Sequence, residues 1–384
     1  MEFWKTNMPD GMYLRSDLDW HLDPDNQATL DHFIAENCLS PAELSPLPLQ
    51  RYLEYVEWFM HRKRIDPRQD YISRIDYYPG RSPAFRLSLQ NGNLVEADSV
   101  AIAPGFKDFK NLPSELAALF PYERLAHTCD SVDLKNYRDQ RVMIVGGRQS
   151  AFEWAALLHE NGAGEVHVTY RHETPAFSES DWSWMTTLLE FMEVNPGWYR
   201  SLSPQAQEAI GRRFLSEARM KLAPWLFPRV NQPDVFLHPY TTVRACHFSR
   251  SSELSVTLSD GTQVSVDRVI LATGYRVEIA RLPYLAAGNL LKYLEIRDGY
   301  PVLDDHFQTT VPGLYITSLP AVQDFGSFFA FTVSVRTSAR LIGAAVIKAQ
   351  PPPGTLSGGG ALGGRLTGPG GAAAYSGGLH LAAQ

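Results

Sequence analysis

One stretch constrains the fold more than any other: residues 141–172, which read RVMIVGGRQSAFEWAALLHENGAGEVHVTYRH. After Arg141 the chain is apolar and β-branched, and two glycines follow at once, which predicts a buried parallel strand that ends in a tight turn. From Ala151 to Leu158 the apolar residues recur at helical spacing, and Asn161-Gly162 is typical of a helix C-terminus. Residues 165–170 alternate between polar and apolar side chains, which predicts a second strand that completes a βαβ unit.

This unit resembles the dinucleotide fingerprint G-x-G-x-x-G/A, in which the first helical turn presents free N–H groups and a positive dipole end to a pyrophosphate. Gly146 takes the first place and Ala151 the last, but Arg148 stands where the second glycine lets the backbone approach the phosphates. Either the Arg148 side chain itself binds the phosphate, or the affinity of the site for a dinucleotide is reduced. An ordinary strand, turn and helix is the alternative interpretation.

The end of the second strand carries Arg171 where an NAD site carries an acidic residue on the ribose hydroxyl. A guanidinium suits the 2′-phosphate of NADPH. The sequence therefore favours NADPH over NADH, unless Arg171 is only a solvated charge at a strand end.

An internal repeat links the two halves of the chain. Residues 85–106 contain a strand, a hairpin turn, a second strand and an apolar strand ending in Pro-Gly-Phe, and residues 254–275 repeat the pattern without a gap. The equivalent pairs include Gly92 and Gly261, Asp98 and Asp267, Ala103 and Ala272, and Gly105 and Gly274. We interpret the repeat as two homologous nucleotide-binding halves. Because no strand, glycine turn and helix precede Phe85, we expect the chain to begin just after the first βαβ unit of the earlier half.

Composition excludes several classes of function. The formal net charge is −7, and the longest basic cluster is residues 61–64, so the sequence offers no electrostatic case for nucleic acid. The chain has no run long enough to span a membrane and no signal peptide, which favours the cytoplasm. Cys38, Cys129 and Cys246 are an odd number without a C-x-x-C pair, so neither a disulfide framework, a zinc site nor a redox-active dithiol is expected.

Three further segments have a predicted role. The Trp-rich stretch from Thr174 to His247 is expected to be core or a lid more often than a stacking surface for substrate. An apolar helix is predicted from Phe328 to Lys348, with free N–H groups that could face a second cofactor. Residues 350–384 are rich in Gly, Ala and Pro and are expected to form a disordered tail.

Several motifs together resemble the flavin-containing monooxygenase superfamily, and within it the bacterial lysine and ornithine N-hydroxylases. They are Phe106 after the first apolar strand, His127-Thr128 upstream of the fingerprint, the ILATGY sequence at 270–275, and PGLYITS at 312–318 followed by a helix. The resemblance covers roughly Trp4 to Ile347. It departs from the family's pattern at Pro104, at Arg148 and in the absence of an FAD phosphate loop.

The resemblance implies an α/β fold with two Rossmann-like dinucleotide-binding domains, the NADPH domain being inserted in an N-terminally incomplete FAD domain. The implied ranges are 1–135 for the first part of the FAD domain, 136–276 for the NADPH domain and 277–349 for the second part of the FAD domain. NADPH would contact Gly146, Gly147, Arg148, Gln149, Ser150, Ala151 and Arg171, with Thr273 and Gly274 nearby. FAD would contact Trp4, Met8, Ala103, Gly105, Asp324, Phe325 and Gly326.

The activity implied is that of an NADPH- and FAD-dependent monooxygenase, in which NADPH reduces the flavin and O₂ then oxygenates a small molecule. The resemblance assigns no side chain as general base, and we expect no metal ion at the site. The alternative is a flavin-free NADP(H)-binding protein or partner subunit without catalysis. The yellow absorbance of a bound flavin would separate the two.

Overall fold

A computed structural model describes residues 1–248, 253–349 and 381–383. Its main strands are β1 (Ile72–Tyr77), β2 (Phe85–Leu89), β3 (Leu94–Ala97), β4 (Val100–Ala103), β5 (Leu125–His127), β6 (Arg141–Val145), β7 (Glu165–Thr169), β8 (Val235–His238), β9 (Val243–Phe248), β10 (Leu254–Leu258), β11 (Gln263–Val266), β12 (Arg268–Leu271), β13 (Leu314–Ile316) and β14 (Leu381–Ala383). Its longer helices are α1 (Glu2–Thr6), α2 (Leu30–Glu36), α3 (Leu49–Arg62), α4 (Gln149–Glu160), α5 (Ser183–Val194), α6 (Pro204–Phe214) and α7 (Val335–Ala349).

Shorter elements connect these. The single-turn helices are Ser114–Ala117, Trp198–Ser201, Phe227–Val230, Pro283–Ala286 and Val322–Phe325, and a π-helical turn, Leu215–Arg219, continues α6. Two-residue strands pair Tyr13–Leu14 with Leu47–Pro48, Ala176–Phe177 with Lys221–Leu222, and Ile296–Arg297 with Tyr300–Pro301. No helix within the described residues is both long and apolar enough to cross a lipid bilayer.

The predicted βαβ unit lies at the centre of a parallel sheet of five strands, in the order β8-β7-β6-β12-β5. Side chains alternate between the two faces, as a strand requires. Val142 and Ile144 pack against α3 and α4, whereas Met143 packs with Val269 and Leu271 under the β-meander β9-β10-β11. Both faces are covered, which accounts for the continuous apolar character of β6. The strand β5 joins this sheet upstream of the boundary expected between residues 135 and 136.

The second parallel sheet repeats the arrangement of the first. The strand β4 pairs in parallel with β13 on one side and with β14 on the other, as β12 pairs with β5 and β6. The registers also agree: Leu314 lies opposite Val100, and Leu125 opposite Val269, its counterpart in the repeat. The strand β14 thus occupies, beside β4, the place that β6 has beside β12. It is the only part of the expected disordered tail that lies within the described residues.

The two hairpins of the repeat have the same structure. In each, an antiparallel meander (β1-β2-β3 or β9-β10-β11) leads into the parallel strand β4 or β12, and in each the first pairing contains a bulge. Gly92 has φ +85° and Gly261 φ +90°, in the left-handed region that favours glycine. The Gly92 N–H donates to Leu89 and the Gly261 N–H to Leu258, both over 3.1 Å. The two halves are structural copies, as the repeat predicted.

The segment between β7 and β8 covers the second sheet as well as the first. The buried face of α5, formed by Met185, Leu189 and Met192, belongs to the same hydrophobic cluster as Leu341 and Ile342 of α7. This Trp-rich segment therefore contributes one helix face to the core, whereas its tryptophans, Trp182, Trp184, Trp198 and Trp225, are partly buried and pack against the core from outside. One expectation differs from the structure: the last helix begins at Val335, after a run of 3₁₀ turns, rather than at Phe328.

Candidate functional site: an arginine-lined dinucleotide cleft

The fingerprint turn between β6 and α4 requires its two glycines for close packing. A Cβ on Gly146 would lie 2.5 Å from the carbonyl oxygen of Ala272, and the φ of Gly146 is +154°. A Cβ on Gly147 would lie 2.5 Å from the Cβ of Tyr170 and 2.7 Å from Nε2 of His172. The turn is therefore held against the ends of β12 and β7, where a fingerprint places it.

The first turn of α4 divides its residues between solvent and core. Ser150 is exposed and Ala151 is buried, where its small side chain lets the helix approach the sheet. Gln149 accepts a hydrogen bond from the Ala223 N–H over 3.1 Å, and its own Nε2 is buried without a described partner. Ser150 and the free N–H groups of this turn are available to an anion, whereas Ala151 acts through packing.

The space between this turn and the π-helical turn Leu215–Arg219 is called the cleft below, and the Arg148 side chain bridges it. Its Nη1 donates to the backbone oxygen of Arg219 over 2.8 Å and also contacts the sulfur of Met220. The side chain thus joins the fingerprint turn to the π-helical turn Leu215–Arg219 on the opposite wall. Partial burial, and then the charge of Arg171, lower the pKa of Arg148. The structure therefore places a guanidinium where the fingerprint has a glycine.

Arg171 lies two residues after the end of β7, and it is exposed. The residue before it, Tyr170, is buried, packs on Phe152 with ring centroids 5.5 Å apart, and bonds through its hydroxyl to Thr174 over 2.7 Å. Tyr170 thus anchors the chain just after the strand, while Arg171 stays exposed. This is the position at which the sequence predicted contact with a 2′-phosphate.

The segments that follow β4 and β12, in which the chain passes between the two domains, meet beside this cleft and are called the crossings. The aromatic rings of Phe106 and Tyr275 lie 4.8 Å apart. The Asn111 N–H donates to Gly274 over 2.9 Å, and the Thr273 hydroxyl donates to the Asn111 carbonyl over 2.6 Å. Thr273 and Gly274 therefore have a structural role, because their hydrogen bonds to Asn111 join the two crossings.

A buried cluster of titratable groups lies under these crossings. The imidazole of His127 is fully buried, accepts at Nδ1 from the Cys129 N–H over 3.0 Å, and has no described partner at Nε2. Burial lowers the pKa of His127 to about 4, although the Asp130 carboxylate opposes this. Burial also raises the pKa of the Cys129 thiol to about 11. His127 is therefore neutral at ordinary pH, and the Cys129 thiol is protonated.

The expected flavin contacts fall into two groups, of which one lies at strand ends. Ala103 ends β4, and Gly105 follows it with φ +64°. The Thr317 N–H donates to the Ile102 carbonyl over 3.0 Å, so the chain leaving β13 lies beside Ala103. Ser318 comes next, with a φ of +68°, a conformation that side chains other than glycine rarely adopt. The carboxyl ends of adjacent parallel strands are where ligands bind in such sheets.

The other expected flavin contacts have structural roles instead. Asp324 is buried and accepts from Arg297 over 2.8 Å and from the Leu303 N–H over 2.9 Å. Phe325 stacks on Phe307 with ring centroids 3.8 Å apart. A Cβ on Gly326 would lie 2.7 Å from the ring of Phe328. These three residues belong to the core under the second sheet, so their expected contact with FAD is not supported.

Trp4 and Met8 are also placed away from the strand ends of the second sheet. Trp4 packs on Tyr52 of α3 with ring centroids 5.4 Å apart, and both Trp4 and Met8 lie against the core that surrounds α3 and α4. With Leu53 and Glu57 they line a cavity of about 260 Å³. The opening segment therefore packs against the core of the middle domain, and the contact of these two side chains with the flavin stays a prediction.

The sequence interpretation did not identify three residues that the structure brings to the cleft. Glu153 is buried in α4 and accepts from the Tyr13 N–H over 2.8 Å, and burial raises its pKa to about 7. Arg15 donates to the Ala218 carbonyl over 2.8 Å and to Ser180, which joins the opening segment to the π-helical turn. Arg219 lies on that turn. A carboxylate inside an apolar helical run was a visible signal for Glu153, whereas the arginines lie in segments without periodicity.

Comparison with known proteins gives matches throughout this region. Residues 25–191 match the family model of pyridine nucleotide-disulphide oxidoreductases. An FAD-dependent urate hydroxylase of Xanthomonas campestris pv. campestris is 26% identical over 131 residues, which are 33% of this chain and 28% of that protein. Thioredoxin reductase of Escherichia coli O157:H7 is 32% identical over 129 residues, which are 33% of this chain and 36% of that protein. The matched parts thus span about a third of these curated relatives.

Solved structures match over most of the chain. An ornithine N-hydroxylase of Kutzneria sp. 744 superposes with a TM-score of 0.71 at 18% identity, covering 90% of this chain and 89% of that one. An ornithine hydroxylase from Pseudomonas aeruginosa superposes with a TM-score of 0.69 at 16% identity, covering 90% and 88%. At these identities the likeness is one of fold.

The solved structures confirm the expected α/β fold class with two Rossmann-like domains, the fold that the ornithine hydroxylases share. The family model that matches residues 25–191 is one of pyridine nucleotide-dependent oxidoreductases, in agreement with the expected class of enzyme. FAD and NADP appear in the names of several of these relatives, in agreement with the expected pair of cofactors. Unlike a dithiol enzyme, this chain has no C-x-x-C pair, and its three cysteines are free.

Proposed function

We propose that this chain, which has the fold of the flavin-dependent monooxygenases, is a cytoplasmic FAD- and NADPH-dependent oxidoreductase of the monooxygenase type acting on a small molecule. The observation that carries the proposal is the pair of equivalent sheets, joined by crossings that bring Phe106 and Tyr275 into contact. Two copies of a nucleotide-binding frame with their strand ends facing one cleft are an arrangement suited to holding two dinucleotides side by side.

The NADPH side of the cleft fits its ligand. The Gly147 position has no room for a Cβ, so the turn lies close to the end of β7, and the first turn of α4 offers free N–H groups to a pyrophosphate. Arg171 stands where the 2′-phosphate of NADPH would lie. The charge of Arg148 supplements these donors.

The FAD side fits in part. Ala103, Gly105 and the Thr317-Ser318 pair lie at adjacent strand ends, with backbone groups directed to the same edge. A strand, glycine turn and helix like that of the middle domain does not occur in the first half of the described residues. When bound in this cleft, NADPH would supply a hydride to FAD, and the reduced flavin would supply the reactivity toward O₂. The chain's own part is to bind and orient the two and to exclude water.

We expect the segment between β7 and β8 to keep water away from the bound cofactors. Its Trp182 packs edge to face with Trp20 of the opening loop, with ring centroids 5.5 Å apart, and Arg15 lies 5.4 Å over the Trp182 ring. Ser16 bonds to Thr332 just before α7 over 3.1 Å. The opening loop and the Trp-rich segment together cover the approach to the N-terminal end of α7.

A flavin-free NADP(H)-binding protein is the second candidate, and a specific observation favours it. The arginines and the glycine turn of the NADPH side are in place, whereas Asp324 and Phe325, expected at the flavin, are buried in the core. In that case NADPH binding would occur without a bound flavin. A partner subunit or sensor would have this property.

The absorbance spectrum of the purified chain distinguishes the two candidates. The chain is incubated with FAD, freed of excess ligand by gel filtration, and then given NADPH without oxygen. The proposal expects retained flavin absorbance that bleaches with NADPH, and O₂ consumption when air is admitted. Colourless protein that still binds NADPH would support the second candidate instead.

A further inference from the structure

Three guanidinium groups near the fingerprint turn have no carboxylate partner within the described residues. Arg148, Arg171 and Arg219 each form no salt bridge within the described part of the chain. By contrast, Arg141, at the opposite end of β6, is paired with both Asp267 and Glu253. A cluster of like charges without counter-charges opposes folding unless an anion binds among them.

Arg219 occupies a particular place in this cluster. It ends the π-helical turn that continues α6, and its guanidinium lies 5.4 Å over the ring of Phe331, which belongs to the second sheet's domain. Its backbone oxygen accepts the hydrogen bond from Arg148. Part of the Arg219 residue is exposed to solvent. Its guanidinium is nevertheless surrounded by protein atoms, and this desolvation, followed by the charge of Arg148, lowers the pKa of Arg219.

The fingerprint needs a glycine at position 148 because the backbone must approach the diphosphate closely. With an arginine there, the side chain occupies the space in front of the turn, and the diphosphate would have to be held by side-chain donors. A guanidinium carries five N–H donors, so the one bond from Arg148 to the Arg219 carbonyl leaves several available. Paired guanidinium forks bind phosphate oxygens with charge-assisted hydrogen bonds.

We propose that Arg148 and Arg219 together bind the pyrophosphate of the pyridine dinucleotide, replacing the backbone contacts of the missing glycine, while Arg171 binds the 2′-phosphate. This assignment rests on the proposed function, because it takes NADPH as the ligand. It adds Arg219, which lies on the opposite side of the cleft from the fingerprint turn. It follows that dinucleotide binding fixes the π-helical turn against α4, because one anion bridges both.

The test is calorimetric titration with three probes: NADPH, NADH and adenosine 2′-monophosphate, which has the 2′-phosphate but no pyrophosphate. Arg219→Gln should weaken NADPH and NADH alike by about tenfold or more and leave adenosine 2′-monophosphate unchanged. Arg171→Gln should weaken NADPH and adenosine 2′-monophosphate and leave NADH unchanged. Arg219→Lys, which keeps the charge without the fork, should fall between wild type and Arg219→Gln.

Arg213→Gln is the matched control, because Arg213 is an exposed arginine of the adjoining helix α6 whose salt bridge is with Asp181 rather than the cleft. It should bind all three probes as the wild type does. If Arg219→Gln binds both dinucleotides like this control, or loses only NADPH and adenosine 2′-monophosphate, the assignment to the pyrophosphate is wrong. If the wild type binds neither dinucleotide, the proposed NADPH function fails as well, so the two failures are distinguishable.

Discussion

Phe106 and Tyr275 contact each other across the two domain crossings, with ring centroids 4.8 Å apart, although each closes a different copy of the same hairpin-and-strand sequence. Equivalent residues of a repeat meet in this way when the two copies face each other. The contact therefore ties the geometry of one sheet's ligand-binding edge to that of the other.

This contact should be measurable as a coupling energy. Both rings are partly exposed, so their direct interaction is expected to contribute about 1 kcal/mol beyond the area they bury. Denaturant unfolding of Phe106→Leu, Tyr275→Leu and the double variant gives this energy as a double-mutant cycle. Additive single effects would show that the two rings do not interact in solution.

Gly147→Ala should destabilise the fold and impair NADPH binding. The added Cβ would lie 2.5 Å from the Cβ of Tyr170, a buried residue that cannot move aside, so we expect a loss of about 1–3 kcal/mol. Gly343→Ala is the control, since it lies within α7 with open space around its Cβ position and should be neutral or stabilising. Unfolding curves of both variants test this, and an unaffected Gly147→Ala would contradict the tight turn.

Glu153 gives the fold a pH dependence. Its folded-state pKa of about 7 lies above the ordinary value of 4.5, so its contribution is fully present below pH 4.5 and is lost as pH rises to about 7. Glu153→Gln should therefore gain stability relative to the wild type across this interval, by about 1–3 kcal/mol, and the difference should be constant above it.

The control for this prediction is Glu160→Gln on the same helix, because Glu160 is accessible and paired with Arg229 over 2.7 Å. Unfolding free energies of the three proteins are measured between pH 4.5 and 8. A constant difference between Glu153→Gln and the wild type over this range would show that Glu153 titrates normally.

The cysteines should differ sharply in reactivity. Cys129 is buried, and burial raises its thiol pKa to about 11, so little thiolate exists at pH 8. Cys38 is exposed. Labelling with a thiol reagent followed by mass spectrometry should modify Cys38 rapidly and Cys129 only in denaturant. Rapid modification of native Cys129 would place it at an open site instead.

The repeat could be found in the sequence because its signals are local. Glycines at hairpin turns and alternating strands are set by backbone geometry, and Gly92 and Gly261 adopt the same conformation in both copies. The fingerprint turn was visible for the same reason. The sequence could place Arg171 just after a strand, where the structure has it, and its contact with a 2′-phosphate stays a prediction.

The remaining differences arise from contacts distant in sequence. Asp324 resembled a ligand contact, but Arg297 and the Leu303 N–H satisfy its carboxylate in the core. Trp4 was expected only as a contact of FAD, and its packing on Tyr52 of α3 could not be foreseen from the sequence. Arg219 carried no local signal, because its importance depends on the Arg148 side chain reaching across the cleft.

The most direct test of the account is the spectrum of the purified chain after incubation with FAD and removal of free ligand, recorded before and after anaerobic addition of NADPH or NADH. The account predicts a retained flavin whose visible absorbance is lost on reduction, faster with NADPH than with NADH. Protein that retains no flavin, or a bound flavin that NADPH does not reduce, would contradict it.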